Sequence, residues 1–172
     1  SSLSACSWFR GGDSTIAPPA ELVDITQPAS VERIWSRDLG AGAGKRYLKL
    51  DAGVQDAAIY ASDRKGHVYA LEKQSGRIRW DTKLKLNISA GVGVGDGLVL
   101  VGNSKGELIA LSKDDGKQQW VANLTSEILA RPAVDLGTVV AQTVDGKVFA
   151  LAVADGRQLW RQERSEPALS LR

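Results

Sequence analysis

The residues able to do chemistry in this chain are few, and their spacing serves none of the usual reactions. His67 is the single histidine and Cys6 the single cysteine; a lone imidazole is a poor start for a metal centre or a catalytic triad. Asp63, Asp114, Asp115, Asp145 and Asp155 are carboxylates that could serve as general acids or calcium ligands. Each, however, falls in a turn, where an aspartate hydrogen-bonds its own backbone, and none has the D-x-D-x-D-G spacing of a calcium loop. No G-x-S-x-G nucleophile elbow occurs. Gly40-Ala-Gly-Ala-Gly44-Lys45-Arg46 invites comparison with a phosphate-binding loop. Three residues separate its outer glycines where the loop needs four, Arg46 replaces the magnesium-ligating Ser or Thr, and Tyr47-Leu-Lys-Leu50 alternates like a strand. The segment reads as a flexible connector. The sequence therefore contains no catalytic residue set, no metal site and no cofactor site that its motifs would support.

The elements that hold these residues explain most of them. GHVYALEKQSGRIRW at Gly66–Trp80 returns as GELIALSKDDGKQQW at Gly106–Trp120 and as GKVFALAVADGRQLW at Gly146–Trp160, a period of 40 residues. A short apolar run, a Gly turn and a Trp in every copy, at this period, mark a four-stranded propeller blade. His67 sits where the other copies hold Glu107 and Lys147, so its position accepts any solvated polar group. The first repeat, about 47–84, contains strands at Tyr47–Val54, Ala58–Ser62, His67–Leu71 and Arg77–Leu84. The second, about 88–124, contains Ile88–Val94, Leu98–Gly102, Glu107–Leu111 and Lys117–Leu124. The third covers about 128–163, with Pro132 expected in its first strand, where a missing N–H is tolerable only at an edge or bulge. The third strand of each copy is apolar at every position, so both of its faces must be covered, as stacked blades cover them.

Val31–Leu39 carries Trp35 much as the repeats carry Trp80, and is expected to be the orphan outer strand of a blade begun elsewhere. Ala168-Leu-Ser-Leu-Arg172 lies one period after Ile128-Leu-Ala-Arg-Pro132 and is expected to start a fourth blade. Since known propellers need four to eight blades, the expected fold is all-β: about three antiparallel blades, an orphan N-terminal strand and the start of a further blade, forming the N-terminal part of a larger ring. Two chains sharing edges is the alternative.

Composition limits the partners. With 22 Lys and Arg against 20 Asp and Glu, the net charge of +2 gives no one-sided basic field for nucleic acid. No apolar run approaches the 18 or so residues that would span a bilayer. The chain has no Met, so it is expected to have been processed or cut. Leu3-Ser4-Ala5-Cys6 is similar to the bacterial lipobox, which makes residues 1–5 a signal-peptide remnant and Cys6 a lipid attachment site. Residues 6–30, with Gly11-Gly12, Pro18-Pro19 and Pro28, then form a tether, which fully extended reaches at most roughly 80 Å.

The spacing of Ala110 to Trp120 and of Ala150 to Trp160 resembles the docking repeat of quinoprotein-type propellers, in which the indole packs on the next blade. On that pattern Trp35, Trp80, Trp120 and Trp160, with Gly76, Gly116 and Gly156, are the structural docking residues. Together with the Cys6 lipobox and the Trp35 strand, the chain resembles the BamB family of lipoproteins of the bacterial outer-membrane β-barrel assembly machinery. That resemblance implies an eight-bladed ring, no enzymatic activity, and a scaffold on the periplasmic side of the outer membrane. It also implies docking on the periplasmic domains of BamA through a Leu-x-Leu-Arg motif, matched here at Leu169, Leu171 and Arg172, with unfolded outer-membrane proteins as a further class of partner. The family's acidic contact residues belong to a later blade and find no match here. A quinoprotein dehydrogenase using pyrroloquinoline quinone and calcium, and a generic adaptor propeller, are the competing readings.

Overall fold

A computed structural model describes residues 30–44 and 48–163. Its twelve strands form three four-stranded antiparallel sheets, each a meander in chain order. Blade 1 is β1 (Gly53–Gln55), β2 (Ala58–Ser62), β3 (His67–Glu72) and β4 (Ile78–Lys83). Blade 2 is β5 (Gly93–Gly95), β6 (Leu98–Gly102), β7 (Glu107–Ser112) and β8 (Gln118–Asn123). Blade 3 is β9 (Ala133–Asp135), β10 (Thr138–Gln142), β11 (Lys147–Ala152) and β12 (Gln158–Glu163). Among the described residues there is no helix.

The core lies between blades as well as within them. Leu108, Ile109, Ala110 and Leu111 of β7 are all buried, which a strand achieves only when both faces of its sheet are covered. One apolar cluster joins Val68 and Ala70 of blade 1 to Val99, Val101, Ile109 and Leu111 of blade 2; a second joins Leu100, Leu108 and Ala110 to Val139, Ala141 and Leu151 of blade 3. Burying a Leu or Ile of this kind stabilises by about 1.5–3 kcal/mol each.

The first strands of blades 1 and 2 are shorter than the sequence predicts. β1 and β5 pair with their own blade over three residues each. The stretch before them turns to the neighbour instead: Val92 N donates to Asp51 O at 2.9 Å. Glycine makes that approach possible. A Cβ on Gly53 would stand 2.9 Å from Val92 O, and one on Gly93, a period later, 2.3 Å from Pro132 O. Pro132 itself precedes β9 and so removes no ladder hydrogen bond.

Residues 31–39 carry no strand among the described residues, contrary to the expected orphan strand. A strand requires a ladder partner, and none of the described strands pairs with this segment. The glycine loop also differs from a free connector. Ala41 N donates to Asp63 Oδ2 at 2.8 Å, and Arg64 N to Gly42 O at 3.0 Å, which fastens the loop to the β2–β3 turn.

Candidate functional site

An indole docks on a glycine turn three times among the described residues, twice from one blade to the next and once from the segment before blade 1. In each outer strand the register slips by one residue: Ala70 pairs with Trp80 but Leu71 with Ile78, Ala110 with Trp120 but Leu111 with Gln118, and Ala150 with Trp160 but Leu151 with Gln158. Such a bulge raises the local twist and re-aims a side chain. The indoles reach the β3–β4-type turn of the following blade. Trp35 Nε1 donates to Lys73 O at 2.9 Å, Trp80 Nε1 to Lys113 O at 3.0 Å and Trp120 Nε1 to Val153 O at 2.8 Å. The ring lies on the glycine three residues past each carbonyl: a Cβ would stand 2.7 Å from Trp35 Cε3 at Gly76, 2.5 Å from Trp80 Cε3 at Gly116 and 2.5 Å from Trp120 Cε3 at Gly156. All three glycines have positive φ, between 67° and 72°, so the turn and the docking both need a residue without a Cβ.

A second hydrogen bond reinforces two of these contacts. Arg37 Nη1 donates to Gly76 O at 2.6 Å and Thr82 Oγ1 to Gly116 O at 2.8 Å. The equivalent of Thr82 in blade 2 is Ala122, which has no hydroxyl to offer. Trp160 has no described turn to reach and stands 49% exposed beside Leu159.

The turn aspartates are occupied by their own turns. Asp115 accepts from Lys117 N at 3.2 Å and Asp155 from Arg157 N at 3.0 Å. The Lys117 ammonium and then the Ser112 hydroxyl hold the Asp115 carboxyl at about 2. Lys147, followed by Thr143 and Thr125, keeps Asp145 well below the carboxylate range. Asp63 is the buried member. Burial raises its pKa, but N–H groups of Ala41, His67 and Lys65 outweigh that and hold it below the ordinary value. The copies show the same position at work, since Asn103 Oδ1 accepts from Lys105 N and Glu107 N, both at 2.9 Å. His67 Nδ1 lies 3.9 Å from Asp63 Oδ2 with Tyr69 beside it. Among the described residues, no three His, Cys, Asp or Glu side chains come together as a metal would require.

Cys6, Leu169, Leu171 and Arg172 lie outside the described residues. The copy one period earlier, 128–132, is described. It connects β8 to β9 on the face that also carries the β2–β3-type turns. Ile128 is buried in the core, whereas Leu129 is 45% exposed and Arg131 is also exposed. This interblade connection thus anchors by Ile128 and Pro132 and offers residues 129–131 outward.

A sequence model of the family described as "Outer membrane protein assembly factor BamB" matches residues 20–87 and 64–172. The assembly factor BamB of Pseudomonas aeruginosa is 41% identical over 75 residues, which are 44% of this chain and 20% of that protein. The crystal structure of BamB from Moraxella catarrhalis superposes with a TM-score of 0.63 at 27% identity, covering 69% of this chain and 37% of that one. A europium-containing methanol dehydrogenase shares the fold, with a TM-score of 0.58 at 20% identity over 68% of this chain and 25% of that one. The curated relatives are therefore matched over about a fifth of their length, and the Moraxella structure over about a third. The family match extends over residues 20–172, and the chain belongs to the outer membrane protein assembly factor BamB family.

Proposed function

We propose that this chain is a non-catalytic scaffold of the outer-membrane β-barrel assembly machinery, held at the periplasmic face of the outer membrane by lipid on Cys6. It docks on the periplasmic domains of BamA through Leu169, Leu171 and Arg172. The observation that carries the reading is the family match over residues 20–172. The outward Leu129 and Arg131 of the equivalent connection, counterparts of Leu169 and Leu171, support the choice of those two residues, whereas the counterpart of Arg172 is the buried Pro132. Two leucines beside an arginine on such a connection supply what an interface centre needs, apolar anchors that lose water and a cation that can fork onto a carboxylate. Residues 6–30 act as the tether, and the acyl chains on Cys6 contribute about 0.8 kcal/mol per buried CH₂. The likeness to methanol dehydrogenase, at 20% identity, is one of fold.

The test is co-purification of BamA with the intact protein. Arg172→Ala and Leu171→Asp are each expected to remove BamA from the eluate while the protein still folds and reaches the membrane. Recovery of BamA equal to the parent's contradicts the site.

A further inference from the structure

The junction of blades 1 and 2 carries a surface whose chemistry differs from that of the Leu-x-Leu-Arg segment. A cleft of about 700 Å³ opens there, with Lys65, Lys83, Lys85 and Lys105 on its lining. These lysines come from three separate pieces of chain: the β2–β3 turn, the end of β4 with the connection after it, and the β6–β7 turn. All four are exposed. Among the described residues, nine lysines occur and four of them, Lys49, Lys113, Lys117 and Lys147, make ion pairs. Of the five without an ion pair, only Lys73 is outside this cleft. The cleft's one carboxylate, Glu107, is engaged by the side-chain amide of Asn103.

The repeat supplies an internal control. One period later Lys83, Lys85 and Lys105 are replaced by Asn123, Thr125 and Asp145. The blade junction therefore does not need lysines for folding, and the positive charge is particular to this cleft. Four ammonium groups lining one cleft with a single carboxylate leave it a net positive charge, and their mutual repulsion lowers stability unless a further anion meets them.

The shape points to a polymer rather than a small ion. Glu107 and Gln118 both line the cleft, and they stand at opposite ends of the β7–β8 ladder, where Glu107 pairs with Asn123 and Leu111 with Gln118. The opening is thus elongated along the strand direction, by roughly 13 Å at 3.3 Å per residue. Leu86 gives it an apolar wall, and the Asn87 and Gln118 amides can pair with backbone groups. We propose that this cleft binds an extended, acidic polypeptide segment, its carboxylates paired with Lys65, Lys83, Lys85 and Lys105 and its backbone against the cleft's amides.

The experiment uses the intact protein and a fluorescent peptide of about eight residues alternating Glu with Val or Thr, with the same peptide carrying Gln for Glu as control. The Glu peptide is expected to bind about tenfold or more tightly than the Gln peptide, and to weaken at least about threefold between about 50 and about 200 mM salt. Lys83→Glu with Lys105→Glu is expected to lower affinity about tenfold or more. Lys49→Glu with Lys73→Glu, which changes net charge equally outside the cleft, is expected to stay within about twofold. Near-ultraviolet circular dichroism confirms that each variant folds. Equal losses in both double variants, or equal binding of the two peptides, overturn the proposal. It is also overturned if phosphatidylglycerol vesicles or inorganic phosphate bind in a Lys83- and Lys105-dependent manner while the Glu peptide does not.

Discussion

The Trp120 indole lies on Gly156 of the next blade, with its Nε1 bonded to Val153 O at 2.8 Å and its Cε3 where a Cβ on Gly156 would come to 2.5 Å. This contact couples two sheets that share no ladder. Trp120 is 8% exposed, so Trp120→Ala is expected to cost about 3–5 kcal/mol in urea unfolding. Trp120→Phe keeps most of the apolar contact and loses the hydrogen bond, for a total cost of about 1–3 kcal/mol once the unpaired Val153 carbonyl is included.

Gly156→Ala separates two reasons for a glycine. Gly156 and Gly137 both have positive φ, 72° and 76°, so alanine at either costs about 1–2 kcal/mol in backbone strain. Only Gly156 has an indole in the way; no atom lies within 4 Å of a Cβ at Gly137. Gly156→Ala is expected to exceed Gly137→Ala by about 1–3 kcal/mol in denaturation midpoints converted to free energy. Equal costs mean that the ring does not fix this glycine.

Leu136 is a leucine in the left-handed region, with φ of 47° and 89% exposure. Its equivalents are Asp56 and Asp96, at φ of 52° and 45°. Leu136→Asn is expected to raise stability by about 0.5–1 kcal/mol, because asparagine tolerates this conformation and the leucine buries little there. A thermal or urea midpoint reads this directly.

Asp63→Asn removes one contact and keeps two. Asn103 shows that an amide oxygen suffices for the N–H groups of the turn; an amide NH₂ placed at Oδ2 faces Ala41 N without an acceptor. The loss is expected to be about 1–3 kcal/mol at neutral pH, with faster amide exchange at Ala41. Its pH dependence follows from the depressed folded-state pKa. The carboxylate's contribution is complete above the unfolded value near 4 and is lost as pH falls through the lower folded value. The gap between parent and variant is therefore expected to be full at about pH 6 and to narrow as pH falls below the unfolded value near 4.

Much of this fold is legible in sequence because one unit is written three times. The 40-residue period places the indole, its glycine and the all-apolar third strand, and the sheets follow that unit in strand count and order. The limits of the first strands were not legible, since Val92 bonds Asp51 on another blade and hydrophobicity does not tell own-sheet from next-sheet pairing. The bulges before Leu71, Leu111 and Leu151 left no residue signature either. Asp63 looked like one turn aspartate among several; its grip on Ala41 depends on a loop about 20 residues away, which no local pattern encodes. The lysine cleft was hidden because its members are dispersed from Lys65 to Lys105 in a chain of near-neutral balance.

The central proposal is that the connection after blade 3 is the surface that meets BamA. Site-specific photo-crosslinking in cells tests it, with the probe at Leu171 in one variant of the intact protein and at Leu129, on the equivalent connection after blade 2, in another. A BamA adduct is expected from position 171 and none from position 129. Adducts from position 129 with none from position 171 contradict the account.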